Sequence, residues 1–138
     1  MLEIRVLMLC VTVFALSAYA QSTRADTCTM QSSGDYHVGG NWNCGHAPGG
    51  SDTAIIPSGK TCTVTTDGGA NQACLSFTVD SGGTLTINSG LTFSVGAAST
   101  LNGALTVDGK LAMVDTLTSA GTLTVGSTGN YFIDEDGV

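Results

Sequence analysis

Leu-Thr-Val at 105–107 returns as Leu-Thr-Val at 123–125, inside a wider pattern in which Thr84-Leu85-Thr86, Ala104-Leu105-Thr106 and Thr122-Leu123-Thr124 succeed one another after 20 and then 18 residues. A near-constant step of that length suits the coil of a solenoid, each turn stacking on the last. A β-sandwich also has short strands and frequent turns, but nothing in it requires local sequence to recur at a fixed step. Within the runs TCTVT (61–65), LSFTV (75–79), LTFSV (91–95) and TLTV (122–125), apolar residues alternate with Thr or Ser, the period of a strand with one buried face. Glycine or Asx-Gly ends nearly every run, at Asp67-Gly68, Gly82-Gly83, Gly90, Gly96, Gly103, Asp108-Gly109, Gly121, Gly126 and Gly129. We expect these glycines to supply the positive φ of tight turns. No stretch has the spacing of a long helix. The expected fold is all-β, a short right-handed parallel β-helix. In it Leu85, Leu105 and Leu123 stack inward, and Leu91, Phe93, Val95, Leu111, Leu117 and Val125 fill the adjoining faces. The intervening Thr residues point outward, where β-branching favours strand and the hydroxyl meets water.

The first residues stand apart from this pattern. Val6 to Ala20 is nearly all apolar and closes on Ala18-Tyr19-Ala20, the apolar core and small-x-small site of a secretory signal peptide. Arg5 is offset by Glu3, and the run falls short of the roughly 20 residues that span a bilayer. We therefore expect export, cleavage near Ala20, loss of Cys10 with the leader, and no transmembrane segment in the mature chain. That mature chain carries ten carboxylates against Arg24, Lys60 and Lys110, a net charge of −7. Such a balance repels nucleic acid and anionic membranes. Only 11% of residues are charged, so Thr, Ser, Asn and Gly must meet the water, while 42% hydrophobic residues in a periodic pattern exclude disorder. Cys28, Cys44, Cys62 and Cys74 remain, and an even count in an exported chain argues for disulfides, with three pairings open. Zinc is disfavoured, because no Cys-x-x-Cys pair occurs.

The segment before Thr61 holds the only Trp, both His, both Pro and, of these four cysteines, Cys28 and Cys44. Its motifs are Cys28-Thr29, Asn41-Trp42-Asn43-Cys44-Gly45-His46-Ala47-Pro48, Asp52 and Ile56-Pro57-Ser58-Gly59. Over roughly residues 28 to 95 the chain resembles the N-terminal cap module of secreted bacterial β-solenoid and adhesin-like proteins. The resemblance implies a cap succeeded by a parallel β-helix. It places Cys62 and Cys74 at inward strand positions where such proteins carry aliphatic residues. Two thiols that both replace core aliphatics are expected to have done so together, so we expect Cys28 to pair with Cys44 and Cys62 with Cys74.

Few residues could carry chemistry. His37 and His46 would need a nucleophile with an orienting acid, or further ligands, to act in catalysis or metal binding. Ser51 and Asp52 lie near His46 in sequence, but no Gly-x-Ser-x-Gly surrounds Ser51. We expect His46 to hydrogen-bond backbone and hold a loop. Trp42 is expected to plug the first coil; the rival role is a stacking platform for a sugar ring. No paired carboxylates suit glycosidic chemistry, and Lys60 and Lys110 are too few for a basic groove. Asp134-Glu135-Asp136-Gly137 lacks the ligand spacing of a calcium loop and reads as a solvated acidic tail. The sequence thus assigns no catalytic residue, no cofactor and no metal. Thr-Leu-Thr at 84–86, 116–118 and 122–124, beside Thr61–Thr65, makes a ladder like that of ice-binding β-solenoids, with Ala104 interrupting it.

We accordingly expect a signal peptide at 1–20, a disulfide-bonded cap module at 21–60 with Trp42, His46, Pro48 and Asp52 as its key residues, and solenoid coils at 61–138. The expected role is a secreted, non-enzymatic structural protein at the cell surface or beyond. The chain is short, carries a recognisable cap at one end only, and closes on the strand-like Tyr131-Phe132-Ile133. An uncovered coil end exposes backbone donors and acceptors, and a head-to-tail contact that does not close makes a filament. The expected partner is a second copy of the chain. The alternative is an adhesive or ligand-binding module, taking cell-surface glycan near Trp42 or ice on the Thr ladder.

Overall fold

A computed structural model describes residues 24–66, 69 and 71–133. The expected signal peptide with Cys10, and the acidic tail Asp134–Gly137, lie outside the described residues. The chain is a parallel β-solenoid with three sheets as its sides. β1 (Thr27–Thr29), β3 (Thr53–Ile56), β6 (Ser76–Val79), β9 (Ser99–Leu101) and β12 (Leu117–Ser119) form one sheet. β2 (Gly34–Asp35), β4 (Thr61–Val64), β7 (Thr84–Ile87), β10 (Ala104–Val107) and β13 (Thr122–Val125) form the second. β5 (Asn71–Cys74), β8 (Thr92–Val95), β11 (Lys110–Met113) and β14 (Asn130–Ile133) form the third. Every pairing between named strands is parallel. Four complete coils therefore come after an incomplete first turn made of β1, β2 and a loop.

The register matches the repeat. Cys62, Leu85, Leu105 and Leu123 stack in one inward column, and Val64, Ile87, Val107 and Val125 in the next. Leu91, Phe93, Val95 and Leu111 are buried as expected. Leu117 and Leu123 are half-buried and Val125 is 45% exposed. All three belong to the last described coil, which among the described residues has neighbours on one side only. β1 and β3 already belong to the same sheet as later coils, so the solenoid starts within the expected cap module.

Most of the turn glycines do something other than expected. Among the described residues, positive φ occurs only at Gly34, Gly45, Gly59, Gly69, Gly82 and Gly90. Gly103, Gly109, Gly121 and Gly129 lie at corners where one coil passes over the last. A Cβ on Gly103 would collide with the carbonyls of Asp80 and Gly83, and one on Gly121 with that of Gly103. These corners need the missing side chain rather than an unusual dihedral.

Candidate functional site

Hydrogen bonding and an aromatic stack build the N-terminal end. Asn43 accepts the Thr29 N–H on its side-chain oxygen at 2.7 Å, and its own N–H donates to the Thr29 carbonyl at 3.0 Å. This fastens the loop after Trp42 onto β1, where the Cys28–Cys44 disulfide also joins them. Trp42 is 1% exposed and donates its indole N–H to the Tyr36 carbonyl at 2.8 Å. Its ring meets Tyr36 edge-on at 5.4 Å, and Tyr36 meets Phe93 at 5.0 Å, so a run of aromatics closes the first coil. Trp42, expected as a plug, is buried against Tyr36. The indole is buried and offers no open face for the sugar stacking named as the rival role.

His46 stands exposed on the same loop. Its Nδ1 lies 3.0 Å from the Ala47 carbonyl and its Nε2 3.1 Å from Asp26 Oδ2. Both ring nitrogens face acceptors, so the doubly protonated ring fits best. The Ala47 carbonyl and then the Asp26 carboxylate hold its pKa above the usual imidazole value, against a smaller opposing effect of desolvation. Asp52, 5% exposed, accepts N–H bonds from Asp26 at 2.9 Å and from Gly49 at 2.8 Å. Burial would raise its pKa, but those two donors and the nearby His46 together hold it below the usual carboxylate value. His46, Asp26 and Asp52 thus latch the start of β1 to the cap loop, with Pro48 buried beside them. Among the described residues, His46 makes no hydrogen bond to a hydroxyl that would serve as nucleophile. His37 sits elsewhere, half-buried, and its Nδ1 has no partner among the described residues.

The expected Cys62–Cys74 bridge is not formed; both are free, buried thiols. Cys62 heads the column above Leu85, whereas Cys74 heads a different one above Val95, Met113 and Ile133. Each fills an aliphatic position on its own sheet. Burial first, with nearby negative groups, pushes the Cys62 thiol far up, and burial pushes Cys74 up to about 12.

On the outside of the second sheet the threonines form a grid. Thr63, Thr86, Thr106 and Thr124 make one unbroken column, and Thr61, Thr84, Ala104 and Thr122 a parallel one, all half-exposed or exposed. Strand geometry spaces them about 4.8 Å across the sheet and about 6.7 Å along each strand. Thr116–Thr118, expected in the same ladder, leads instead into β12, and Thr118 joins the column of Thr78 and Thr100 on the first sheet.

The expected assembly strand divides. Tyr131 and Ile133 point inward, half-buried at the end of the last described coil. Phe132 points outward on the third sheet, with Lys110 Nζ 4.6 Å above its ring. Its side chain therefore lies on the lateral face, not in an end-to-end joint. Beside it, the small residues Ala73, Ser94 and Ala112 leave a shallow groove of about 370 Å³. Sequence pattern alone could not show this groove, since it depends on which outward positions stack. No helix among the described residues is long and apolar enough to cross a membrane. No protein-family model matches the chain, and no curated protein or solved structure is significantly similar to it.

Proposed function

We propose that this protein is a non-enzymatic structural subunit that works outside the cell and extends its solenoid end to end with further copies. The observation that carries the proposal is where burial fails. Leu105, Val107, Leu111 and Met113 are at most 1% exposed, whereas their partners one coil later, Leu123, Val125, Tyr131 and Ile133, are all incompletely covered. One more parallel coil, supplied by a second copy, would bury that row and pair β12, β13 and β14. The outermost strands at the other end are β1, β2 and β5, and the cap loop already holds the Thr29 N–H and carbonyl of β1, so a second copy would meet the cap there as well as the strand edges. The Cys28–Cys44 bridge supports an oxidising location. Val125→Asp puts a charge on the end face at a position already half-open. Light scattering and electron microscopy of the mature chain should show filaments, favoured by salt that screens the −7 charge, and Val125→Asp should stay folded and monomeric. A wild-type chain that is monomeric at high concentration and salt overturns the proposal.

A second reading rests on the Thr grid. Its flat, regular hydroxyl and methyl spacing suits an ordered water lattice, which makes ice the ligand. Thermal hysteresis of the wild type, abolished by Thr86→Lys at the grid's centre, is the expected result. Hysteresis that is absent, or unchanged in Thr86→Lys, removes this reading.

A further inference from the structure

We propose that reduction of the Cys28–Cys44 disulfide converts the cap into a zinc site with Cys28, Cys44 and His46 as ligands. The two sulfurs and a ring nitrogen of His46 all lie within 4.8 Å of one another. Donor atoms around a tetrahedral zinc sit about 3.3–3.8 Å apart, given Zn–S and Zn–N bonds of about 2.3 and 2.0 Å. The sulfurs would swing apart by side-chain rotation, and the ligating His46 nitrogen would give up its proton and its present acceptor. The backbone does not depend on the bridge alone. Two Thr29–Asn43 hydrogen bonds and the Met30–Trp42 pairing hold β1 against the loop that carries Cys44.

The surroundings have the chemistry of a metal site. Whichever ring nitrogen takes the metal, the other keeps an acceptor, the Ala47 carbonyl for Nδ1 or Asp26 Oδ2 for Nε2. The latter is the carboxylate–histidine arrangement that orients metal-bound imidazoles. Cys28 is fully buried, Cys44 half-buried and His46 exposed, so the metal enters from solvent and its fourth position stays open. The spacing Cys44-x-His46 is the one trace of this in the sequence, and it means little until the fold brings Cys28 alongside.

The conversion balances with a dithiol as reductant. Its thiolate attacks one sulfur, the Cys28–Cys44 bond breaks, and its second thiol closes the dithiol into its own disulfide. The dithiol loses two electrons, and the protein gains two thiols. Zn²⁺ then binds both as thiolates and releases their two protons to solvent.

The test uses the mature chain reduced under argon with dithiothreitol, desalted, and titrated with Co²⁺ and then Zn²⁺. One equivalent of Co²⁺ should give thiolate-to-metal charge-transfer absorption that Zn²⁺ removes, and the oxidised chain should give none. Asp26→Asn should weaken Zn²⁺ binding about tenfold or more, and His46→Ala should weaken it further. Cys62→Ala with Cys74→Ala should leave the spectrum intact. Circular dichroism covers loss of fold on reduction: a reduced chain that refolds with Zn²⁺ supports the site, and one that stays unfolded overturns it. No charge-transfer band, a band indifferent to His46→Ala, or a band lost with Cys62 and Cys74 also overturns it.

Discussion

Leu105 lies beside Leu85 in the parallel pairing of β10 with β7, and both side chains are completely buried. The column they share carries the solenoid's cohesion from coil to coil. Leu105→Ala should cost about 2–5 kcal/mol, because neighbours fixed in register cannot collapse into the cavity. Leu123→Ala, at the half-buried end, should cost clearly less in the monomer. Urea unfolding of both variants measures this. Equal losses in dilute monomer would mean that the last coil is packed as firmly as the middle.

Gly103 should tolerate no side chain. Its backbone lies against the carbonyls of Asp80 and Gly83, and the obstacle is main chain that cannot rotate away. Gly103→Ala should therefore destabilise more than Gly90→Ala, even though Gly90 has φ +80° and Gly103 does not need positive φ. At Gly90 a Cβ meets open space, leaving only dihedral strain of about 1–2 kcal/mol. Thermal melts of the two variants decide the order.

The column of Leu85, Leu105 and Leu123 was legible because a strand's two-residue period and a coil's fixed step both leave marks in one sequence. The same logic failed at Val125 and Leu117, since a pattern says which way a side chain points but not whether a neighbour covers it. The burial of Trp42 was legible from its place before the first coil. Pairing the cysteines was harder. Cys28 and Cys44 are joined because a folded-back loop brings them together, whereas Cys62 and Cys74 are inward residues of consecutive strands on different sheets. Adjacency in the strand pattern is not adjacency of sulfurs. Phe132 was legible as part of a strand but not as outward: its neighbours Tyr131 and Ile133 face inward, so alternation turns it out.

The His46 latch should make stability depend on pH in two windows. His46 has a raised pKa in the folded chain. Its contribution is full below the ordinary imidazole value of about 6.5 and is lost as pH rises through the raised folded value, when one of its two N–H donors disappears. Asp52 has a lowered pKa, so its contribution is present above the ordinary carboxylate value and is lost as pH falls through the folded one. Urea midpoints across pH should thus fall on both sides, and His46→Gln should flatten the alkaline side while only softening the acid side, which the Asp26 and Gly49 N–H donors to Asp52 maintain. A mutant that loses the acid-side dependence instead would show that the latch has been assigned to the wrong partner.

Cys62 and Cys74 should be present as thiols in the oxidised protein. Both are buried, and Cys74, pushed up to about 12, holds almost no thiolate at neutral pH. In a chain lacking residues 1–20, and so Cys10, a thiol reagent should therefore find little reaction in the native state and two equivalents after denaturation without reductant. Because Cys74 continues the column of Val95, Met113 and Ile133, Cys74→Val should cost less than about 1.5 kcal/mol, as a swap of similar volume within a core. The hydroxyl of Tyr36 beside it keeps its bond to the Ala73 carbonyl at 3.2 Å, so the substitution strands no polar group. Peptide mapping that recovers a Cys62–Cys74 link, or a denatured chain with no free thiol, would mean that the two columns approach closely enough to bridge.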